Sequence, residues 1–250
     1  MSFPYRNCVF DLYGTLVDIH TDEEQPSLWS DFAVFLAGMG VAYAPDALRA
    51  CYLRLCREES ARCAARLQAH GIPGPEEIDL LSVWRSLGDL AGLQITDTQA
   101  REISRWFRCR TTIRLRLFPG AADTLETLHR LGCRVWLLTN AQESFTLPEL
   151  ASLGLLKAFD HILISSSFGV RKPSPAFFGQ LLAGGEDPSD FLMVGNDDGC
   201  DCRGAAQVGM DSLYIATEQS PPRCESLPRS CMEIADLREI PALSGRISGI

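Results

Sequence analysis

An apolar run ends in an aspartate and then turns at once in the stretch CVFDLYGTLVD, residues 8–18. Val9 and Phe10 suit a buried strand, Gly14 interrupts it, and the Thr15 hydroxyl can bond the turning backbone. The pattern predicts that Asp11 lies where a strand becomes a loop, the place where a parallel α/β sheet carries its chemistry. On this stretch alone, an aspartate that merely caps a surface turn explains the pattern equally well.

The chain has 250 residues, of which 46% are apolar, and a net charge of −9. This composition is typical of a globular protein. The acidic balance argues against a nucleic-acid partner, which would require a basic surface. No apolar run approaches the roughly 20 residues of a membrane span, and the N-terminus lacks the pattern of a signal peptide. We therefore expect no membrane partner and a cytoplasmic location.

Ten cysteines are present, and several of them lie inside apolar-periodic or strand-like segments. A free thiol in such a segment behaves as a small hydrophobic group, so reduced cysteines are expected. The pair Cys200 and Cys202 has no second pair at zinc spacing. Lysine occurs only at Lys157 and Lys172, which limits any chemistry that needs a lysine to these two positions.

From Ile19 to about Leu115 the sequence shows no convincing strand. Helical apolar spacing predicts helices over 26–40, 45–70 and 76–92, and Thr96 with Gln99 forms a capping box that opens a fourth helix. After Phe118 helices alternate with apolar strands at 134–138, 162–164, 191–194 and 212–215, the last core strand, and 217–230 reads as a loop. This alternation is typical of a parallel sheet covered on both faces.

The predicted fold class is therefore α/β, a doubly wound parallel sheet of the Rossmann-like kind with an inserted all-helical domain. Residues 1–18 and 117–250 form the sheet domain, and residues 19–116 form the helical insertion. Because the insertion leaves the sheet just after Asp11, we expect it to cover the edge where Asp11 emerges, and to carry substrate choice.

Polar side chains follow four of the predicted strands. They are Asp11, the pair Thr139 and Asn140, Lys172, and the acidic loop 195–201 (GNDDGCD). Each feature alone is common in turns and loops. In a parallel sheet, however, these four strand ends converge on one crevice, and their joint occurrence favours a site.

This set supports nucleophilic chemistry. A carboxylate at a strand end, here Asp11, can form an acyl-type or phospho-aspartyl intermediate that water then cleaves. Thr139 and nearby backbone N–H groups can bind oxyanions, and Lys172 can balance the negative charge. The acidic loop and Asp11 offer hard oxygen ligands for Mg²⁺.

With these motifs in this order, the sequence resembles the haloacid dehalogenase-like (HAD) hydrolase superfamily, and the insertion resembles that family's C1-type cap. The resemblance implies that Asp11 is the nucleophile and that Thr139, Asn140 and Lys172 surround the transferring group. It also implies Mg²⁺ bound by Asp11, the backbone carbonyl of Tyr13, and either Asn196 or Asp197. Asp201 would orient Lys172 or the water molecules on the metal.

Tyr13 departs from the phosphatases of this family, which carry a second aspartate there as the general acid. Without that acid, efficient transfer is confined to good leaving groups. The Asp-x-Tyr form resembles the metal-independent 2-haloacid dehalogenases instead. Other positions disagree with that resemblance, because those enzymes typically have Ser, Tyr and Asn where this chain has Thr139, Phe178 and Asp198.

Three functions follow as expectations. The first is a Mg²⁺-dependent phosphatase of a small phosphorylated metabolite, the second is a 2-haloacid dehalogenase, and the third is a catalytically weak binding or regulatory protein of the same fold. A residue of the insertion could replace the missing acid, with Glu58, Glu59 and His70 among the candidates. Monomer and homodimer are both open.

Overall fold

The computed structural model describes residues 3–223 and 226–247, and its centre is a six-stranded parallel sheet. The strands, numbered along the chain, stand in the spatial order β5 (His161–Ile164), β4 (Arg134–Thr139), β1 (Asn7–Phe10), β6 (Phe191–Gly195), β7 (Asp211–Ile215) and β8 (Cys231–Ile234). The strand that delivers Asp11 therefore lies in the middle of the sheet, between β4 and β6.

Both faces of this sheet are covered. Cys8 and Phe10 of β1 pack into one apolar cluster, while Val9 between them packs into another on the opposite face. This alternation is the period of two expected for a strand with two buried faces. The flanking helices are α5 (Ala121–Arg130), α6 (Glu143–Ser152), α7 (Pro175–Phe178) and α8 (Arg203–Gln207). The predicted fold class is confirmed.

The insertion is mainly helical, as predicted. Its helices are α1 (Leu28–Gly38), α2 (Pro45–Ala69), α3 (Leu80–Leu90) and α4 (Asp97–Thr111). The predicted capping box is present, because Gln99 N–H donates to Thr96 Oγ1 and Thr96 N–H donates to Gln99 Oε1. The third helix begins at Leu80 rather than at residue 76.

The late start of α3 has a cause in the residues before it. Glu76 forms an antiparallel bridge with Val170, and the neighbouring backbone bonds are Glu77 N–H to Gly169 O (3.1 Å) and Arg171 N–H to Pro75 O (3.2 Å). Backbone groups engaged in this way with another segment cannot also form a helical turn. Residues 75–77 of the insertion are thus paired with the segment that precedes Lys172.

The prediction that no strand lies between Ile19 and Leu115 is wrong. Strands β2 (Val17–Thr21) and β3 (Thr112–Leu117) form a two-stranded antiparallel ribbon that carries the chain into and out of the helices. Each predicted domain boundary, after residue 18 and after residue 116, falls inside one of these strands. Their pairing joins residues about 95 positions apart, which local periodicity cannot reveal.

Two further differences concern the C-terminal part. Strand β8 lies beside β7, so the prediction that residues 212–215 form the last core strand is wrong. The helix predicted from Asp201 begins earlier, as one wide turn of π-helix over Asp198–Cys202 that leads into α8. The predicted loop 217–230 is a loop in its described part, while Cys224 and Glu225 lie outside the described residues.

Nine cysteines of the described part are free thiols, as predicted. Within residues 3–223 and 226–247, no helix combines the length and the apolar character needed to cross a bilayer.

Candidate active site

A cavity of about 190 Å³ lies at the carboxyl ends of β1, β4 and β6. Its lining residues are Asp11, Tyr13, Thr139, Asn140, Lys172, Asn196, Asp197, Cys200, Asp201, Gln219 and Pro221. All eight residues named from the sequence as catalytic or metal-binding candidates are among them. The structure therefore brings the four predicted strand ends together, as the geometry of a parallel sheet requires.

Asp11 is held by the strand that precedes it and by the turn that follows. Its N–H donates to Val194 O of β6 (2.9 Å), and the turn closes with Gly14 N–H on Val17 O (2.8 Å). Gly14 has φ +87°, and a Cβ there would overlap the Asn196 amide, so only glycine fits. The turn thus fixes the Asp11 carboxylate in a buried position.

Lys172 is fully buried and lies between two carboxylates. Its Nζ donates to Asp11 Oδ1 and to Asp201 Oδ1, both at 2.7 Å. Burial alone lowers the pKa of an ammonium, but the charges of Asp11 and Asp201 outweigh it and raise the pKa of Lys172 above its usual value. The lysine therefore carries its charge into the site.

Asn140 holds the Lys172 backbone from both sides. Its Oδ1 accepts from Lys172 N–H (2.8 Å), and its Nδ2 donates to Lys172 O (3.2 Å). A side-chain amide that bonds both backbone groups of one residue fixes that residue's position without using its side chain.

The acidic loop places Asp201 against Lys172. Asp201 Oδ2 accepts from Asp197 N–H (3.1 Å), and Asp197 Oδ1 accepts from Cys200 N–H (2.9 Å). Burial raises the pKa of Asp201, while the Lys172 charge acts to lower it. One Asp197 oxygen is thus engaged in shaping the loop that presents Asp201.

Oxygen atoms suited to a hard cation meet beside Asp11. Thr15 Oγ1 lies 3.1 Å from Asp11 Oδ2 and 3.2 Å from Asn196 Oδ1, so the carboxylate and the amide oxygen are neighbours. Among the described residues, no group of three or more His, Cys, Asp or Glu side chains could hold a metal. The donor set nevertheless fits Mg²⁺, which is bound by one or two carboxylates when a substrate phosphate supplies further ligands.

Thr139 ends β4 with a buried hydroxyl that has no hydrogen-bond partner within the described residues. A buried polar group without a partner costs roughly 1–3 kcal/mol, so such groups are rare in folded proteins. A ligand oxygen in the cavity would supply the missing partner.

Tyr13 is tied to the neighbouring helix instead. Its hydroxyl donates to Glu149 Oε2 and lies 3.2 Å from Thr146 Oγ1, while Arg108 of α4 pairs with Glu149 (2.7 Å) and lies over the Tyr13 ring. Burial, and then the Glu149 charge, raise the pKa of Tyr13 well above its usual value. The hydroxyl is therefore a poor proton donor for a leaving group.

The acids suggested as replacements lie elsewhere. Glu58 pairs with Arg54, Glu59 pairs with Arg62, and His70 Nδ1 contacts a backbone carbonyl of its own helix. None of the three lines the cavity, nor does any other described residue of the insertion.

Of the three positions compared with the dehalogenases, Thr139 lines the cavity, while Phe178 and Asp198 lie outside it. Phe178 is fully buried and packs against Gly204, and Asp198 is buried with a carboxylate oxygen 3.8 Å from Arg203 Nε.

Three lining residues were not among the predicted site residues. Cys200 lies inside the acidic loop, and burial followed by the Asp197 charge raises its pKa to about 12, which keeps the thiol neutral. Gln219 and Pro221 come from the loop after β7, where no sequence pattern marked them.

The sequence is similar to curated phosphatases over about half of its length. The phosphoserine phosphatase of Thermus thermophilus is 33% identical over 143 residues, which are 57% of this chain and 56% of that protein. The chain spans about half the length of the first curated relatives that it matches.

Solved structures show the same fold. A 2-haloacid dehalogenase from Pseudomonas syringae pv. Tomato DC3000 superposes with a TM-score of 0.63 at 21% identity, covering 95% of this chain and 97% of that one. A HAD phosphatase from Thermococcus onnurineus gives a TM-score of 0.55 at 21% identity, with 94% and 95% covered.

A family model described as haloacid dehalogenase-like hydrolase matches residues 5–209, a range that runs from β1 to just before β7 and includes all four motifs. Whether the insertion is a C1-type cap stays a prediction. The match extends over most of the sequence, and the chain belongs to the haloacid dehalogenase-like hydrolase family.

Proposed function

We propose that the protein is a Mg²⁺-dependent phosphatase that hydrolyses a small phosphorylated metabolite through an aspartyl-phosphate on Asp11. One observation carries the proposal. Two buried donors line the same small cavity as the Asp11 carboxylate: the Lys172 ammonium, and the Thr139 hydroxyl, which has no hydrogen-bond partner among the described residues. Donors of this kind bind the oxygen atoms of a transferring phosphoryl group.

In the first step a carboxylate oxygen of Asp11 bonds to phosphorus while the bond to the leaving oxygen breaks. In the second, water cleaves the acyl phosphate and releases inorganic phosphate, which restores Asp11. Lys172 offsets negative charge in both steps, and the Thr139 hydroxyl donates to a phosphoryl oxygen.

Magnesium would be held by side-chain oxygens of Asp11 and Asn196 together with the Tyr13 backbone carbonyl. We favour Asn196 over Asp197 as the metal ligand. The Thr15 hydroxyl contacts both Asp11 Oδ2 and Asn196 Oδ1, which places these two oxygens near each other, whereas Asp197 Oδ1 accepts from Cys200 N–H. When bound, the cation neutralises phosphoryl charge.

The substrate's leaving group has to depart with little protonation, because the Tyr13 hydroxyl donates its hydrogen bond to Glu149 and retains its proton. A positioned general acid contributes about 10²- to 10⁴-fold, and its absence costs most with leaving groups of high pKa. Acyl and aryl phosphates are therefore the expected substrates, and the small cavity favours compact ones.

The test is a turnover assay with acetyl phosphate and p-nitrophenyl phosphate, each with Mg²⁺ and with EDTA. We expect turnover by the wild type only with Mg²⁺, and a loss of at least about 10³-fold in Asp11→Asn. Asp89→Asn on the exposed side of α3 is the matched control and should retain full activity.

Tyr13→Asp tests the missing acid in the same assay. It should raise turnover of p-nitrophenyl phosphate, the poorer leaving group, relative to acetyl phosphate by about tenfold. Tyr13→Phe removes the hydroxyl without adding an acid and should leave that ratio unchanged. If the wild type releases phosphate from neither compound, the phosphatase proposal fails.

A dehalogenase is the second candidate, and the engaged Tyr13 hydroxyl favours it because halide departs without a proton. Asp11 would displace the halide at C2 of a haloacid, and water would cleave the resulting ester. Chloride release from 2-chloropropionate in EDTA is the measurement. A protein that processes neither substrate class would be the binding or regulatory member of the fold.

A further inference from the structure

The cavity at Asp11 is partly closed by the loop that follows β7. Gln219 and Pro221 of this loop line the cavity, whereas the lining includes no described residue from 22–111, between the two ribbon strands. Side chains that line a binding cavity are the ones that select its ligand. The part of a substrate that extends beyond the phosphate therefore meets this loop.

The loop is built as a fixed turn. Thr217 N–H donates to Ser220 Oγ (2.9 Å) and Ser220 N–H donates to Thr217 O (3.1 Å). Thr217 Oγ1 donates to Gly14 O (2.8 Å), which ties the turn to the segment that carries Asp11. A loop that is hydrogen-bonded within itself and to the nucleophile's turn can position a side chain reproducibly.

Gln219 has a defined orientation. Its amide lies 2.5 Å from Asp18 Oδ1, and because a carboxylate only accepts, the atom facing Asp18 is Nε2. Asp18 is itself buried and accepts from Arg114 Nε (3.0 Å) and Arg116 Nε (2.8 Å) of β3. Within the described residues, Gln219 bonds through its N–H to Thr217 Oγ1 and through Nε2 to Asp18, which leaves the amide oxygen Oε1 available as an acceptor.

We propose that Gln219 is a specificity-determining residue, whose Oε1 accepts a hydrogen bond from a hydroxyl or ammonium group of the substrate beyond the phosphate. Asp18 is the positioning residue that fixes the amide. The proposal rests on the proposed phosphatase function and narrows its substrates to phosphate compounds that carry a hydrogen-bond donor close to the phosphate.

The test compares kcat/KM for 2-hydroxyphenyl phosphate and 2-methylphenyl phosphate, which differ in one donor, in the presence of Mg²⁺. Gln219→Leu should lower the hydroxyl-to-methyl ratio of kcat/KM by about three- to tenfold, the effect of one lost hydrogen bond. Intrinsic differences in reactivity between the two esters cancel when the ratio for the variant is divided by the ratio for the wild type. Gln219→Met serves as a second variant should Gln219→Leu not fold.

Gln180→Leu is the matched control, because this glutamine is exposed and lies outside the cavity. Its ratio should equal that of the wild type. Asp18→Asn should lower the ratio less than Gln219→Leu does, and the double variant should lower it no further than Gln219→Leu alone, since both changes act on one amide.

A ratio that Gln219→Leu and Gln219→Met leave unchanged, with both esters still hydrolysed, overturns the assignment of Gln219 and leaves the phosphatase function standing. If the wild type hydrolyses acetyl phosphate with Mg²⁺ but neither ester, this inference is overturned and the phosphatase function stands. If it hydrolyses none of the three compounds, the phosphatase function and this inference fall together.

Discussion

Two buried ionic clusters begin only two residues apart in the sequence, and they differ in what they leave available. In the Asp11 cluster, Lys172 bridges Asp11 and Asp201 at the wall of a cavity that Thr139 also lines, and the Thr139 hydroxyl has no partner in the described part of the chain. In the Tyr13 cluster, Glu149 accepts from both Tyr13 and Arg108, so its charge is neutralised within the protein. The first cluster faces a cavity, whereas the second joins the insertion to the sheet domain.

The largest effect is expected from Lys172→Met in the Asp11 cluster. It should lower kcat/KM for acetyl phosphate by at least about 10²-fold, since the cation that offsets the phosphoryl charge is lost. It should also destabilise the protein by about 3–5 kcal/mol, because two buried carboxylates lose their partner.

Lys157→Met is the matched control, as the other lysine of the chain is exposed. Urea unfolding and the phosphate-release assay measure both effects. Activity within threefold of wild type in Lys172→Met would contradict the role of the Asp11 cluster.

Thr139→Val should separate activity from stability. The substitution preserves shape and removes a hydroxyl that bonds to no described residue, so the free energy of unfolding should stay within about 0.5 kcal/mol or rise. We expect kcat/KM to fall by about 10- to 100-fold, because a donor to the phosphoryl group is lost.

Thr124→Val in α5 provides the comparison, because the Thr124 hydroxyl is likewise buried without a described partner but lies outside the cavity. Thr124→Val should change neither kcat/KM nor the free energy of unfolding. Equal activity in the two valine variants would count against Thr139 as a ligand donor.

Glu149→Gln in the Tyr13 cluster should show the opposite pattern. Loss of the charge that faces Arg108 should lower the free energy of unfolding by about 2 kcal/mol, since both side chains are largely buried. Turnover of acetyl phosphate should change by less than about threefold, because Tyr13 supplies no proton in the wild type. Glu126→Gln, an exposed change in α5, controls for the charge alone.

The smallest expected effect is a pH dependence of stability that arises from Asp18 in the ribbon of β2 and β3. Burial acts to raise the pKa of Asp18, but hydrogen bonds from Arg116 and Arg114 outweigh it and lower the pKa below 3.8. A lowered pKa stabilises the fold above pH 3.8, and this stabilisation disappears as the pH falls through the folded-state pKa.

Wild type should therefore be more stable than Asp18→Asn near neutral pH, and the difference should shrink below pH 3.8. Urea midpoints at about pH 7 and about pH 3 measure it. A difference that does not vary with pH would show that the Asp18 charge contributes nothing.

The site motifs could be predicted because each is local. Asp11 and Asn140 directly follow an apolar strand and Thr139 is the last residue of one, and the parallel arrangement brings such strand ends together without any knowledge of long-range contacts. The same reasoning placed Lys172 and Asp201 in the site, although it could not show that they bind each other.

The features that escaped prediction depend on distant partners. The ribbon of β2 and β3 exists only because Val17–Thr21 meets Thr112–Leu117, and β8 is four residues long in a segment rich in serine and proline. Gln219 reaches the cavity because its loop is bonded to Gly14 and Asp18, some 200 positions earlier. Hydrophobic periodicity and turn-forming residues carry no information about such long-range contacts.

The pairing of residues 75–77 with 169–171 has a mechanical consequence. The catalytic candidate Lys172 is one residue beyond a segment whose partner belongs to the helical insertion. A rotation of the insertion away from the sheet must either break the bonds at Glu77 and Arg171 or pull the lysine loop along with it. The amide protons of Glu77 and Arg171 therefore report on this motion. Their hydrogen-exchange rates measure how often the insertion separates from the segment that precedes Lys172.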